Sequence, residues 1–290
     1  MNKNNKTKVL VLGVSGMLGN AALRVFTERD DYSVMGSARS AGVLRLLPPT
    51  LQEQVVCGVD VENTDSLMRL FTLTRPDVVI NCIGLIKQLA EADDPLAVIP
   101  INAMLPHRLA RLCDVAGARL IHMSTDCVFA GTRGMYREQD VSDAYDLYGR
   151  SKYLGEVDCP HAVTLRTSII GHELSTTHGL LGWFLAQQAP VKGYSRAIFS
   201  GLPTVELARV MRDFVVPNPE LRGLYHVSAE PINKYELLKL VAQVYGKSIN
   251  ITPDDKLVID RSLDSSRFRE ITGYQPPAWP ELVRRMREFA

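Results

Sequence analysis

Tyr148 and Lys152 are four residues apart in the stretch DAYDLYGRSKYLGE, where a helix is predicted to begin. Residues at positions i and i+4 of a helix lie on one face, so the phenol and the ammonium can reach one pocket. Reduction of a ketone needs a proton at the developing alkoxide, and a nearby ammonium would lower the phenol pKa from its usual value of ~10. Tyr145 is further from Lys152 along the chain, which makes Tyr148 the better candidate for this chemistry.

Thr125 ends an apolar stretch, ARLIHMST, that predicts a buried strand. Its hydroxyl can hydrogen-bond the oxygen that Tyr148 protonates and so stabilise charge in the transition state. Ligands of open parallel sheets bind beyond the carboxyl ends of the strands, which is where Thr125 lies. Thr125, Tyr148 and Lys152 are therefore the predicted catalytic residues.

A glycine pattern, Gly13-x-x-Gly16-x-x-Gly19, follows the first predicted strand and opens a helix. Such glycines permit a tight turn, a close approach of the backbone to a pyrophosphate, and close packing of helix on strand. The free N–H groups and the dipole of the helix N-terminus then favour phosphate. The predicted dinucleotide contacts in this turn are Gly13, Ser15, Gly16, Met17, Leu18 and Gly19.

The loop after the second strand carries no carboxylate that could bind a ribose diol. Arg39, with the hydroxyl of Ser37 or Ser40, instead suits a 2′-phosphate, so NADP(H) is favoured and NAD(H) is the alternative. Asp60, after the third strand, is predicted to meet the adenine amino group. The other predicted cofactor contacts lie at strand ends and on the following helices: Val61, Cys82, Ile83, Gly84, Asn102, Tyr148 and Lys152.

The elements that must position these residues alternate between strand and helix, which predicts an α/β fold with a Rossmann-type doubly wound parallel sheet. Helices are predicted near 17–27, 65–73 and 102–116, and AVTLRTSIIG is predicted to be one strand. Residues 1–170 form the predicted cofactor domain. Residues 171–290 form a smaller substrate-binding lobe, partly interleaved with that domain, and GLYHVS is predicted to return to the main sheet.

Composition narrows the class of protein. The chain has 290 residues, 46% of them hydrophobic, and a formal net charge of +1. These values are typical of a soluble globular protein and give no reason to expect a nucleic-acid or membrane partner. The polar start MNKNNKTK lacks the apolar stretch of a signal peptide, and the five cysteines form no metal or disulfide pattern. We therefore expect a cytoplasmic protein without a metal; a homodimer is left open.

Several of these motifs occur together in one known superfamily. GVSGMLG, NCIG, STDCVFAG, YGRSK and LRTSIIG make the chain resemble the extended short-chain dehydrogenase/reductases. HMSTDCVFAG followed by LYGRSKYLGE is most similar to the dTDP-4-dehydrorhamnose reductases. The resemblance implies NADPH-dependent reduction of a 4-keto-6-deoxy sugar nucleotide in deoxysugar and cell-surface polysaccharide biosynthesis. It also implies that Thr125, Tyr148 and Lys152 form the catalytic triad and that Asn102 completes a hydrogen-bond relay.

The predicted substrate contacts lie at the same edge of the sheet and in the second lobe: Lys87, Ser124, Thr125, Asp126, Tyr145, Tyr148 and Arg196. Gln88 and Arg261 are further candidates by position and chemistry. Where the resembled family has a tryptophan after Arg-Thr-Ser, this chain has Ile169, and an aromatic residue after Ser-Thr-Asp is replaced by Cys127. The stretch Phe199-Ser200-Gly201-Leu202-Pro203-Thr204 also differs from the family pattern Asp-Gln-x-Gly-x-Pro-Thr. The carrier (dTDP, UDP or GDP) and the sugar therefore stay open.

Three other functions are compatible with such a scaffold to different degrees. A 4,6-dehydratase would need an additional acid where this chain has Cys127, which disfavours it. A sugar-nucleotide epimerase reuses the same tyrosine and lysine, with Cys127 as a conceivable acid. A non-catalytic NADP-binding regulatory subunit is the third alternative, and the intact Tyr148/Lys152 pair weighs against it.

Overall fold

The computed structural model of the protein describes residues 6–87 and 90–290. Most of the polar start, residues 1–5, lies outside the described residues. Gln88, a candidate substrate contact, also lies outside them.

Fourteen strands occur in the described residues. They are β1 (Thr7–Leu12), β2 (Tyr32–Ala38), β3 (Val55–Cys57), β4 (Val78–Asn81), β5 (Arg119–Thr125), β6 (Ala162–Thr167), β7 (Ile169–Ile170), β8 (Val191–Tyr194), β9 (Ala197–Phe199), β10 (Leu202–Pro203), β11 (Gly223–His226), β12 (Ile232–Asn233), β13 (Ile251–Asp254) and β14 (Ile259–Asp260).

Eleven α-helices are interspersed with these strands within the same two ranges. They are α1 (Met17–Thr27), α2 (Pro49–Gln52), α3 (Thr64–Thr74), α4 (Pro95–Val98), α5 (Leu105–Ala116), α6 (Leu147–Leu154), α7 (Leu180–Ala186), α8 (Thr204–Val210), α9 (Lys234–Tyr245), α10 (Ser266–Thr272) and α11 (Trp279–Glu288). Two π-helical turns cover Ile99–Met104 and Met211–Val215, and a 3₁₀ turn covers Asp126–Val128.

A seven-stranded sheet forms the centre of the molecule, in the order β11-β6-β5-β4-β1-β2-β3. Every neighbouring pair in it is parallel. The order reverses between β1 and β4, and an open sheet binds its ligands at such a switch point. The predicted α/β, Rossmann-type doubly wound sheet is confirmed.

Burial on both faces of the sheet explains the continuous apolar run of β1. Val9 and Val11 belong to one hydrophobic cluster, which includes residues of α1, α8 and α11. Leu10 and Leu12 belong to a second cluster, with residues of α3 and α5. Alternate residues of a strand point to opposite faces, so a strand covered on both sides must be apolar throughout.

The second half of the chain contributes to this sheet as well as to smaller ones. β11 pairs with β6 in parallel register, from Gly223 opposite Val163 to His226 opposite Arg166, so the predicted return through GLYHVS is confirmed. The prediction of one strand over AVTLRTSIIG is wrong. β6 ends at Thr167, and β7 pairs with β10, because the Ser168 carbonyl accepts a hydrogen bond from the Leu202 N–H. No helix in the described ranges has the length and apolar composition required to cross a membrane.

Candidate active site

The glycine turn is attached to the end of β2. The N–H groups of Gly13 and Val14 both donate to the Ser37 carbonyl at 3.1 Å. Gly13 has φ +83°, a left-handed conformation that glycine adopts without strain. A Cβ on Gly19 would lie 2.2 Å from the Gly13 carbonyl oxygen, so this glycine permits α1 to begin against the turn.

The start of α1 fits a pyrophosphate. Gly16 has an extended backbone at the helix N-cap, and no side chain within the described part of the chain caps it. The N–H groups of the first turn are therefore directed away from the helix, toward a site where the dipole favours an anion. A Cβ on Gly16 would come no closer than 3.4 Å to the Gly13 carbonyl oxygen, so the backbone is open to a ligand on that side.

The residues predicted to meet the adenosine end lie in and after β2 and after β3, and all but Ser37 are exposed. Arg39 is exposed directly after β2, and Ser37 is buried within it. The Ser40 hydroxyl accepts a hydrogen bond from the Gly42 N–H at 3.2 Å. Asp60 is exposed, and its carboxylate accepts from the Glu62 N–H at 3.0 Å, which shapes the turn before α3. The binding of a 2′-phosphate by Arg39 stays a prediction.

Asn102 connects the loop after β4 to helix α6, which carries Tyr148 and Lys152. Its Oδ1 accepts from the Leu85 N–H at 2.9 Å, and its Nδ2 donates to the Leu85 carbonyl at 2.9 Å. A Cβ on Gly84 would lie 3.4 Å from Asn102 Oδ1 and 3.9 Å from Lys152 Nζ. The predicted contacts Ile83, Gly84, Asn102 and Lys152 are therefore neighbours.

Helix α6 is held close to the end of β5. The Asp146 carboxylate caps it by accepting from the Gly149 N–H at 2.7 Å. A Cβ on Gly149 would lie 2.2 Å from the Cys127 carbonyl oxygen, and one on Gly155 would lie 2.0 Å from the Asn102 carbonyl oxygen. Only glycine permits these two approaches, which bring Tyr148 next to the segment that follows β5.

Tyr148 and Thr125 share this pocket. Burial raises the pKa of the Tyr148 phenol, and the neighbouring Cys127 thiol acts in the same direction, whereas the Thr125 hydroxyl lowers that pKa. The Thr125 hydroxyl donates to Asp126 Oδ1 and accepts from the Cys127 N–H, both at 3.1 Å. At neutral pH the phenol is therefore protonated, the state that a proton donor requires.

Lys152 is hydrogen-bonded to the main chain of β5. Its Nζ donates to the Met123 carbonyl at 2.6 Å. Burial lowers the pKa of Lys152 to about 8, while the charges of Glu156 and Cys82 oppose that change. This contact fixes the position of the ammonium beside the end of β5.

The substrate side of Tyr148 carries charged groups. Lys87 Nζ lies 5.4 Å from the centre of the tyrosine ring and 2.6 Å from Asp146 Oδ2. Arg261, from the second half of the chain, donates through Nε to the Phe129 carbonyl at 2.7 Å, and its Nη1 lies 3.8 Å from the Cys127 sulfur. Two cations therefore border the pocket, an arrangement that suits an anionic diphosphate.

Cys127 itself is a protonated thiol. Burial, followed by the charge of Asp126, raises its pKa to about 12. Burial also raises the pKa of Asp126, while Arg261 opposes that shift.

Three predicted substrate contacts are directed elsewhere or lie on the surface. The Ser124 hydroxyl donates to Glu156 Oε1 at 2.6 Å. Tyr145 is 71% exposed, and Arg196 is exposed in the turn between β8 and β9.

Ile169, which stands where the resembled family has a tryptophan, forms a packing contact. Ile169 lies opposite Leu202 in the pairing of β7 with β10, and Leu202 is completely buried.

Sequence reasoning missed Glu156 and Arg166. The Arg166 guanidinium binds both carboxylate oxygens of Glu156 at 2.7 Å. Both residues stand in motifs already singled out, LYGRSKYLGE and LRTSIIG. The signal available in the sequence was an acidic residue just after the predicted helix of Lys152 and an arginine in the predicted strand that follows it.

The match to a protein family covers nearly the whole chain. The model of the RmlD substrate binding domain matches residues 7–288. The chain belongs to this family. This match confirms the expected resemblance to the extended short-chain dehydrogenase/reductases and, among them, to the dTDP-4-dehydrorhamnose reductases.

Two curated relatives illustrate what this chain is similar to. Methionine adenosyltransferase 2 subunit beta of Danio rerio is 28% identical over 252 residues, covering 82% of this chain and 74% of the relative. The dTDP-4-dehydrorhamnose reductase of Aggregatibacter actinomycetemcomitans is 22% identical over 308 residues, covering 98% and 99%. This RmlD-family chain thus resembles both a reductase and a subunit of another enzyme.

A solved structure extends the likeness to the fold. The dTDP-4-dehydrorhamnose reductase of Bacillus anthracis str. Ames, in complex with NADP, superposes with a TM-score of 0.81 at 21% identity, and all of each chain is covered. The cofactor in that structure agrees with the expectation of NADP(H), drawn from Arg39 and the absence of an acid after β2.

Proposed function

We propose that the protein is an NADPH-dependent reductase of a 4-keto-6-deoxy sugar nucleotide, acting in deoxysugar and cell-surface polysaccharide biosynthesis. The observation that carries the proposal is the shared pocket of Thr125 and Tyr148, at the sheet edge where the glycine turn opens α1. Residues 1–170 hold the cofactor on this proposal, and residues 171–290 contribute the substrate-binding lobe.

The residues around the cofactor divide its binding between them. The first turn of α1 binds the pyrophosphate, Arg39 binds the 2′-phosphate, and Lys152 holds the nicotinamide ribose hydroxyls. NADPH supplies the hydride when it is bound.

Tyr148 supplies the proton. The phenol is protonated at neutral pH because burial raises its pKa, and it gives its proton to the oxygen of the former keto group. The Thr125 proton, which Asp126 accepts in this structure, turns to the same oxygen and stabilises its developing charge. The ketone is thereby fixed between two donors.

Two cations are available for the diphosphate of the substrate. Lys87 Nζ lies 5.4 Å from the centre of the Tyr148 ring, and Arg261 Nη1 lies 3.8 Å from the Cys127 sulfur. A guanidinium can bind two phosphate oxygens at once, and an ammonium acts as a point charge. The nucleotide base is left open, because nothing in these contacts distinguishes dTDP from UDP or GDP.

The test is NADPH oxidation, followed by absorbance, with the 4-keto-6-deoxy sugars of dTDP, UDP and GDP. We expect turnover with one of these carriers and a loss of at least about 100-fold in kcat in Tyr148→Phe, since positioned acid catalysis contributes roughly 10²–10⁴-fold. Tyr145→Phe, on the exposed side of the same segment, is the matched control and retains turnover. Unimpaired turnover in Tyr148→Phe would overturn the assignment of the proton donor.

A second candidate is a cofactor-binding subunit without its own turnover. Its support is the 28% identity to methionine adenosyltransferase 2 subunit beta. Binding of NADPH without oxidation by any of the three keto-sugar carriers, together with a stable complex with a methionine adenosyltransferase, would favour this candidate. Turnover in the absence of a partner favours the reductase.

A further inference from the structure

Glu156 and Arg166 form a buried ion pair beside β5, the strand that ends in Thr125. Arg166 Nε and Nη2 each lie 2.7 Å from a carboxylate oxygen of Glu156, and the two side chains are 2% and 11% exposed. The guanidinium also lies 5.2 Å from the centre of the Phe129 ring, and its Nη1 is 3.4 Å from His226 Nε2. Such a pair keeps one geometry, because each charge would be costly to leave alone.

The carboxylate is also attached to the end of β5. Ser124 Oγ donates to Glu156 Oε1 at 2.6 Å. Ser124 stands between Met123, whose carbonyl accepts the Lys152 ammonium at 2.6 Å, and Thr125, whose hydroxyl faces Tyr148. The Glu156 carboxylate therefore fixes the segment from Met123 to Thr125. In this segment the Met123 carbonyl accepts from Lys152, and the Thr125 hydroxyl is the proposed donor to the substrate.

The groups around Lys152 leave Glu156 as the anion that acts on it. Cys82, at the end of β4, is a protonated thiol because burial raises its pKa to about 12. His122, on β5, is neutral because burial holds its pKa well below 6.5. Tyr148, on the same helix, is a protonated phenol. Burial lowers the pKa of Lys152, and the carboxylate of Glu156 opposes this.

We propose that Glu156 is a positioning residue that keeps Lys152 in its ammonium form and holds Met123 to Thr125 in place. Its importance for catalysis rests on the proposed function, whereas the charge state of Lys152 can be measured without any turnover. A purely structural ion pair would affect unfolding but would leave the protonation of Lys152 unchanged.

The test follows the titration of Lys152 by NMR in protein labelled with ¹³Cε-lysine, with the signal assigned by its absence in Lys152→Arg. In the unaltered protein we expect a midpoint of about 8. Glu156→Gln keeps an acceptor for Ser124 but removes the charge, so the midpoint falls by about one pH unit. Glu156→Asp retains the charge and recovers most of that shift.

Two further variants separate charge from geometry and from failure to fold. Ser124→Ala removes the hydrogen bond to Glu156, while the Glu156 carboxylate stays paired with Arg166. The titration midpoint of Lys152 therefore stays near that of the unaltered protein. The double variant Glu156→Gln/Arg166→Met leaves no unpaired buried charge, and its midpoint also falls. A midpoint in the double variant that equals that of the unaltered protein would overturn the inference, whatever the midpoint in Glu156→Gln, because there the unpaired Arg166 cation can itself lower the pKa of Lys152.

The pH dependence of kcat gives a further test, which depends on the proposed function. The alkaline limb of the pH profile of kcat moves to lower pH in Glu156→Gln, because the ammonium is lost earlier as pH rises. If the unaltered protein oxidises no NADPH with any keto-sugar, the proposed function fails, and the NMR midpoints still decide the inference.

Discussion

The ammonium of Lys87 lies 5.4 Å from the centre of the Tyr148 ring. It is also 2.6 Å from Asp146, the residue that caps the helix carrying that tyrosine. The Lys87 side chain thus connects the loop after β4, the cap of α6 and Tyr148, the proposed proton donor.

Removal of this ammonium is expected to weaken substrate binding. Lys87→Met should raise KM for the sugar nucleotide about tenfold, equivalent to about 1.4 kcal/mol, because a charged contact to a diphosphate is lost. Its effect on unfolding should be below about 1 kcal/mol, as for other exposed ion pairs. Steady-state kinetics check this against Lys192→Met, whose ammonium pairs with Asp254 at 3.5 Å on the surface. Equal KM values in the two variants would contradict the role of Lys87.

The cap of α6 can be separated from the ion pair. Asp146→Ala loses both the bond to the Gly149 N–H and the partner of Lys87, whereas Asp146→Asn retains an acceptor for the cap. The alanine variant should be less stable than the asparagine variant by about 1 kcal/mol in denaturant unfolding. Similar unfolding midpoints in the two variants would show that the cap contributes little.

Two glycines of the phosphate turn should respond differently to alanine. In Gly19→Ala the new Cβ would lie 2.2 Å from the Gly13 carbonyl oxygen, so we expect loss of both thermal stability and NADPH binding. In Gly16→Ala the nearest atom is 3.4 Å away, so stability should be retained while NADPH affinity falls at least tenfold. Thermal unfolding and fluorescence titration measure the two properties. Normal affinity in Gly16→Ala would argue against a pyrophosphate at this position.

His226 should make stability depend on pH. It is completely buried, and burial, followed by the charge of Arg166, lowers its pKa from 6.5 to about 4. The unfolded state therefore takes up a proton first as pH falls, so the stability from neutral His226 is complete above pH 6.5 and is lost progressively toward pH 4.

The matched variant for this prediction is His226→Gln, which cannot be protonated. Between pH 7 and pH 5 the free energy of unfolding should fall by about 2 kcal/mol more in the unaltered protein than in the variant. Denaturant unfolding at the two pH values gives the comparison. Parallel losses in both proteins would mean that His226 is not the titrating group.

Local sequence patterns predicted the elements whose conformation is determined by neighbouring residues. Helix Met17–Thr27 has the predicted bounds, because helical periodicity is visible in neighbouring residues. The glycine turn and the strand-end threonine could be predicted for the same reason, since their chemistry depends on the element in which they stand.

Contacts between distant segments could not be predicted in this way. The break at Ser168 depends on Leu202 and on Gly201, where a Cβ would lie 2.2 Å from the Ser168 carbonyl oxygen. The acceptor of the Lys152 ammonium is a main-chain oxygen of β5, which no residue type reveals.

The edge position of β11 has a consequence for synthesis of the chain. Until Gly223–His226 arrives, β6 has an unpaired edge, and Arg166 lacks its contact with His226. Unpaired strand edges can associate with other chains. A nascent chain that stalls before Gly223 would thus contain the glycine turn together with Thr125, Tyr148 and Lys152, yet expose the unpaired edge of β6 to other chains.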